Sequence, residues 1–199
     1  MEFKQTWWND NVEKMIGTFN MWIGNENANT KLYSRLYIYN KEFKSIVDLG
    51  CANASMYDGF KKEMYNIDYT GVDSCIYLIE QNKQRGINCI ISDVIKTPFD
   101  DNSFDISYSR HIIEHQPEFR KYLQETIRIS KKEVLHIFFK IPGDDKENIF
   151  YTENDNLYHN TYCKKDIEKY LENHLRVKEF SWEKLNNDEE CALHIILHT

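Results

Sequence analysis

Basic charge is in short supply: 25 lysines and arginines stand against 32 aspartates and glutamates, a formal net charge of −7. A long phosphate backbone wants the opposite balance, so nucleic acid is not an expected partner. Paired cysteines are missing as well. The five cysteines, at 51, 75, 89, 163 and 191, are odd in number and contain no CxxC spacing. That argues against a disulfide framework or a zinc site, and for reduced thiols in the cytoplasm; no metal is expected. Long apolar runs are absent too. The longest mostly apolar stretch, around residues 134–139, is far too short to span a bilayer, so no membrane role is expected. The opening Met1-Glu2-Phe3-Lys4-Gln5 lacks the apolar segment of a secretion signal. With three prolines, seven glycines and no repeat or Pro/Gly-rich linker in 199 residues, the chain reads as one domain: residues 1–42 a helical cap, residues 43–199 the core.

What is present suits a folded α/β protein. Hydrophobic residues make up 41% and aromatics 14% of the chain, enough for a core and for stacking in a pocket. Asp10 and Glu13 have capping-box spacing, and Val12, Met15, Ile16, Phe19 and Ile23 recur at helical intervals. Trp7 and Trp8 just before them read either as a lid over a ligand, with Trp8 a substrate contact, or as a hydrophobic anchor. A second helix is expected over 31–39. Short apolar runs at 45–49, 69–72, 89–91, 104–108 and 134–139 read as buried parallel strands. Between them, helices are marked by Met56, Tyr57, Phe60 and Met64, by residues 76–84 closed at Gly86, and by Phe119, Tyr122, Leu123 and Ile127. Alternation of this kind implies right-handed crossovers in a parallel sheet. The last two runs, 176–182 and 192–198, are joined too closely for anything but antiparallel pairing.

The segment most suggestive of chemistry is Val47-Asp48-Leu49-Gly50-Cys51-Ala52-Asn53-Ala54-Ser55, where a first strand gives way to a helix. In doubly wound sheets, ligands bind at such carboxyl ends. Asp73 ends the second run, where a carboxylate can accept hydrogen bonds from ribose hydroxyls. Asp93 ends the third, within reach of an adenine edge. A turn or cap role is the competing reading for each acid.

These residues resemble the motifs of class I S-adenosylmethionine (SAM)-dependent methyltransferases. Residues 47–55 are similar to the family's D-x-G-x-G-x-G, and Gly71-Val72-Asp73 to its ribose-binding motif. Thr97-Pro98-Phe99-Asp100-Asp101-Asn102-Ser103-Phe104-Asp105 and Ser109-Arg110-His111-Ile112-Ile113-Glu114-His115 are similar to the stretches before and after its fourth strand. The resemblance implies a Rossmann-like three-layer αβα sandwich, with a seven-stranded, mostly parallel sheet in the order 3-2-1-4-5-7-6 and strand 7 antiparallel. It implies SAM as the cofactor and S-adenosylhomocysteine as the product. By position, Asp48, Gly50, Cys51 and Ala52 would lie along the methionine part, Asp73 at the ribose, Asp93 and Val94 at the adenine, and Ser109 and Arg110 near the sulfonium. The sequence departs from the family at Ala52 and Ala54, where glycines are usual; alanine fits there if the backbone is not left-handed. No G-x-G-x-x-G phosphate fingerprint is present, which sets a nicotinamide enzyme well behind.

Methyl transfer needs a base only when the acceptor is a hydroxyl. His111 and His115, on one face of a helix or tight turn with Glu114 adjacent, are the candidates; a structural role beneath the cofactor loop is the competing reading. H-x-x-E-H also spells a zinc-ligand order, which the family context makes coincidental. In the loop after the fifth strand, His159 and Tyr162 are candidate substrate contacts, unless Asn160 or Thr161 merely caps the next helix. The expected activity is methylation of a small polar acceptor, possible identities including a sugar hydroxyl or amine. The alternatives are a catalytically inactive SAM-binding module and a protein or RNA methyltransferase.

Overall fold

The computed structural model describes residues 29–143, 147–152, 157–185 and 190–199. The helix expected over residues 12–23, with Trp7 and Trp8, lies outside the described residues. The chain divides into two compact units, Met1–Val94 and Ile95–Thr199. The first described helix packs within the first unit.

That helix, α1 (Asn29–Asn40), buries a polar face: Thr30, Lys31, Ser34 and Arg35 beside Ile38. It docks on α2 (Ser55–Lys62). Arg35 is buried and forks onto both oxygens of Glu63 at 2.7–2.9 Å. The guanidinium lies over Gly59, where a Cβ would come within 2.4 Å of it, so any larger residue there requires Arg35 to shift. Met64, expected to continue the stripe of α2, instead follows the C-cap Glu63 with φ 54° and is 90% exposed. A left-handed residue cannot extend the helix, and the apolar stripe closes at Phe60. Strands β1 (Ser45–Leu49), β2 (Asp68–Asp73) and β3 (Cys89–Ile91) pair in parallel, Asp48 opposite Gly71 and Gly71 opposite Cys89. Helix α3 (Ile76–Gln84) follows β2 and ends at Gly86, whose φ of 75° is the left-handed close expected there.

The second unit holds β4 (Phe104–Arg110), α4 (Phe119–Ile129), β5 (Ser130–Phe138), a small hairpin of β6 (Tyr151–Thr152) and β7 (Leu157–Tyr158), α5 (Lys164–Glu172), β8 (Val177–Leu185) and β9 (Glu190–Leu197). β5 lies between β4, parallel, and β9, antiparallel, and is buried over its last six residues. β9 is almost wholly buried, while β8 is largely exposed or half-buried. The seven-stranded sheet has the order β3-β2-β1-β4-β5-β9-β8. Counted without the small hairpin, this is the expected 3-2-1-4-5-7-6, and the strand antiparallel to its neighbours is the expected one. No helix among the described residues is long and apolar enough to cross a membrane.

Candidate functional site

In the first unit, the turn after β1 is hooked to β2 by its backbone. The amides of Gly50 and Cys51 both donate to the Val72 carbonyl, at 2.8 and 3.0 Å. Three of the five residues in this turn are left-handed: Gly50 (φ 76°), Ala52 (φ 48°) and Ala54 (φ 57°). The condition under which alanine would fit comfortably is therefore not met. Each alanine carries a strain of about 1–2 kcal/mol. Ala52 is held in it from both sides, since its amide donates to Asp73 Oδ2 at 2.9 Å and its carbonyl accepts from Asn82 Nδ2 at 2.8 Å. Strain of this kind persists where its surroundings over-determine the conformation, and it concentrates at functional sites.

Asp73 is half-buried at the tip of β2. Besides Ala52, it accepts from the Cys75 amide at 2.9 Å, tying the turn to the start of α3. Burial pushes its carboxyl upward, against the backbone amides of Cys75, Ala52 and Ser74. Each carboxylate oxygen can accept more than one hydrogen bond, so these contacts do not exhaust its capacity for a ligand hydroxyl. Asp48 is buried inside β1 and accepts from the Tyr69 hydroxyl at 2.7 Å. Burial lifts it to about 7, with Tyr69 and the charge of Lys31 acting the other way. The Cys51 side chain packs with Ile79 and Cys89. Its Sγ also fills the space beside Gly71, where a Cβ would come within 2.8 Å; burial raises its thiol well above the ordinary value. Cys51 is thus a packing residue on its side-chain side and offers a ligand only backbone. Asp93 is half-buried two residues beyond β3, next to the buried Val94.

The chemistry of this set fits an adenosyl ligand with an amino-acid tail. The carboxylate of Asp73 suits vicinal hydroxyls. Asn53 Oδ1, in the turn itself, is a buried acceptor with no partner among the described residues. Residues small enough for close approach surround both.

In the second unit, β4 continues to Arg110, so Ser109 and Arg110 belong to the strand and do not follow it. Ser109 is buried, and its Oγ lies 2.7 Å from His136 Nδ1, while His136 Nε2 is 3.4 Å from Thr126 Oγ1. Burial holds His136 near 3 and hence neutral, which accounts for a histidine in the otherwise apolar run 134–139. Ser109 thus has a core partner, contrary to its expected place by a sulfonium. Arg110 Nη2 instead reaches Glu190 Oε1 at 3.4 Å, and His111 Nε2 contacts the same oxygen.

His111 and His115 do not share a helical face. His111 has φ 58° and donates its amide to the Ile137 carbonyl. This left-handed residue turns the chain before the short 3-10 segment Ile113–His115. The two rings flank Phe139, with centroids 5.7 and 5.8 Å from it. His115 Nδ1 donates to the Tyr158 carbonyl at 2.6 Å, and its ring meets that of His159 edge-on. Glu114 is buried. Its Oε1 accepts from the Phe139 amide at 2.8 Å, Oε2 has no partner among the described residues, and burial raises it to about 8.

Asn160 and Tyr162 pin the loop after β7 to this turn. The Asn160 amide donates to the Glu114 carbonyl, and the Asn160 side chain and Tyr162 hydroxyl both donate to that of Gln116. Tyr162 is 1% exposed, so its hydroxyl is spent in the core and its expected substrate contact is not available there. Nor does Asn160 or Thr161 cap α5, whose N-cap is Cys163 with no side-chain bond. His159 remains half-exposed. Glu190 was missed in the sequence: it lies 79 residues from His111, and no spacing rule connects them.

Residues 47–138 match the family model described as "Methyltransferase domain". The phthiotriol/phenolphthiotriol dimycocerosates methyltransferase of Mycobacterium tuberculosis is 27% identical over 90 residues, 43% of this chain. The matched segment spans 33% of that relative's length. Among solved structures, the 1,6-didemethyltoxoflavin-N1-methyltransferase of Burkholderia thailandensis, with bound 1,6-didemethyltoxoflavin and S-adenosylhomocysteine, aligns with a TM-score of 0.71 at 12% identity. The alignment covers 100% of this chain and 90% of that one. A SAM-dependent methyltransferase from Clostridium acetobutylicum aligns at 0.67 and 12%, covering 94% and 99%. At these identities the structures speak to the fold. Sheet order and alignment agree that the fold is the Rossmann-like one of class I methyltransferases, and residues 47–138 carry the match to the methyltransferase domain.

Proposed function

We propose that the chain transfers the methyl group of SAM to a small polar acceptor and releases S-adenosylhomocysteine. The observation that carries this reading is the Asp73 carboxylate at the tip of β2, bound to the amide of a turn whose left-handed residues are locked in place. Bound SAM supplies a carbon already activated by its sulfonium, so the chain's own work is alignment and exclusion of water. Asp73 takes the ribose, Asp93 and Val94 the adenine, and Asp48, Gly50 and the backbone of Cys51 and Ala52 the methionine part. Arg110 and His111 serve the transfer, and His159 the acceptor. His115, tied to β7, acts as a strut. Trp8 is proposed as an acceptor contact on sequence alone.

The net charge of −7 favours a small acceptor over RNA, and no observation at the site singles out a sugar. The non-catalytic alternative draws on Ala52 and Ala54, which are both buried and left-handed. Calorimetry with S-adenosylhomocysteine, followed by methyl transfer from labelled SAM to an acceptor panel, tests the proposal. Binding is expected, and binding is expected to be lost in Asp73→Ala. Absence of binding at saturating ligand refutes the reading, and binding without turnover on any acceptor favours the module.

A further inference from the structure

We infer that Asn82 and Arg85, two side chains at the end of α3, are positioning residues that hold the turn after β1 in the left-handed shape the cofactor meets. This rests on the methyltransferase reading and deepens it by naming what organises the cofactor turn.

The turn does not favour this shape by itself. Ala52 (φ 48°) and Ala54 (φ 57°) occupy a region that glycine enters freely and alanine does not. The peptide planes beside them must be fixed from outside, and α3 supplies the means. Asn82 and its C-cap Arg85 lie three positions apart, a spacing that puts both side chains on one side of the helix. Asn82 is 1% exposed, and its Nδ2 donates to the Ala52 carbonyl at 2.8 Å, fixing the peptide that follows Ala52. Arg85 Nη1 donates to the Asn53 carbonyl at 2.8 Å, fixing the peptide that precedes Ala54. Each carbonyl gripped from α3 thus adjoins a left-handed alanine. The two clamps also steady each other. Arg85 Nη1 donates to Asn82 Oδ1 at 3.3 Å, which orients the Asn82 amide with Nδ2 toward Ala52. Arg85 Nη2 pairs with Asp58 in the first turn of α2, anchoring the guanidinium beyond the turn.

Asp73 is the residue that touches the cofactor; Asn82 and Arg85 act through the backbone they hold. A turn already in its binding shape loses no affinity to rearrangement, whereas one that adopts the shape part of the time binds more weakly by that fraction. Without the clamp the alanines fall back toward negative φ, and affinity for the adenosyl ligand drops although no ligand contact has been removed. With glycine in place of the alanine the left-handed shape is no longer penalised, and the clamp matters less. The dependence of affinity on Asn82 is therefore tied to the side chain at position 52, and its dependence on Arg85 to the side chain at position 54.

The test is a pair of double-variant cycles, Asn82→Ala with Ala52→Gly and Arg85→Ala with Ala54→Gly. Each protein is checked for folding by circular dichroism, and its affinity for S-adenosylhomocysteine is measured by calorimetry. Asn82→Ala is expected to weaken binding about tenfold and Arg85→Ala about fivefold, with Arg85→Lys, which keeps a donor, closer to wild type. In the glycine backgrounds the same losses should shrink to about twofold or less. A ligand-free readout accompanies them. The one-bond Cα–Hα coupling differs between positive and negative φ, and that of Ala52 should leave its left-handed value in Asn82→Ala, as should that of Ala54 in Arg85→Ala. If the variant of the buried Asn82 fails to fold, the exposed Arg85 and its cycle with Ala54 decide by the same readings. Equal losses in the alanine and glycine backgrounds, no loss in any variant, or couplings that keep their wild-type values overturn the inference. If the wild type does not bind S-adenosylhomocysteine at saturating concentration, the methyltransferase reading falls, while the couplings still decide whether α3 holds the turn.

Discussion

Replacing Glu114 by glutamine tests what it means to bury a carboxyl group in this turn. The side chain is 1% exposed; its Oε1 accepts from the Phe139 amide, and burial lifts its pKa from 4.5 to about 8. An acid whose folded pKa lies above its unfolded value binds its proton more tightly when folded. Its stabilising effect is complete below pH 4.5 and is lost as pH rises to about 8. A shift of that size is worth on the order of 5 kcal/mol between the two ends of the window. The glutamine amide keeps an oxygen for Phe139 and has no proton to lose. Wild type and Glu114→Gln should therefore unfold alike near pH 5, and the variant should be the more stable at pH 9. Even half the full effect moves Tm by roughly 5–10 °C in a chain of this length. Urea unfolding at both pH values measures the difference. Parallel stability curves across the window would refute the argument, because they would mean that the carboxyl reaches water or an unseen cation.

Asp73→Ala removes the acceptor of two backbone amides and should cost about 2–4 kcal/mol of folding stability besides its effect on ligand affinity; an unchanged Tm and unchanged binding would remove Asp73 from both roles. Gly71→Ala places a methyl 2.8 Å from Cys51 Sγ and should destabilise by about 1–3 kcal/mol, partly recovered in the double variant with Cys51→Ala; no recovery would mean that the clash lies elsewhere. His136 is held neutral to about pH 3. A base with a lowered folded pKa contributes stability present above 6.5 and lost as pH falls toward 3, so His136→Gln should have a shallower acid limb in its stability curve than wild type, and identical limbs would contradict the burial argument.

Much of the fold was legible because each strand announces itself twice, by its apolar run and by the residue that stops it. β1 ends at Gly50, β2 at Asp73, and α3 at Gly86 with the expected positive φ. The run 134–139 was recognisable as a buried strand because only His136 interrupts it. The position of Asp73 at the tip of β2 was legible because it follows from local sequence. The site was hidden where a backbone angle or a distant strand decides. A left-handed φ at His111 rotates its ring away from that of His115, and nothing in a histidine's neighbours signals such an angle. The same holds for Ala52, held by Asp73 and Asn82, and for Ala54, whose amide donates to the Cys51 carbonyl. Glu190 opens an apolar strand and reads as an ordinary terminal charge until β9 is laid beside β5. Tyr162 looked like a loop aromatic suited to stacking; the folded loop turns it inward onto Gln116.

Lys31 sets a limit on how the polypeptide can be dissected. It is a buried cation on α1 whose ammonium donates to the Ser55 hydroxyl at the head of α2 and whose charge offsets that of Asp48 in β1. A fragment beginning at Ser45 would retain every strand of the sheet, yet strand one would keep an acid stripped of its cation and helix two a hydroxyl stripped of its donor. The first unit is thus tied through Lys31 to helix α1, and a fragment that drops this helix is expected to lose stability.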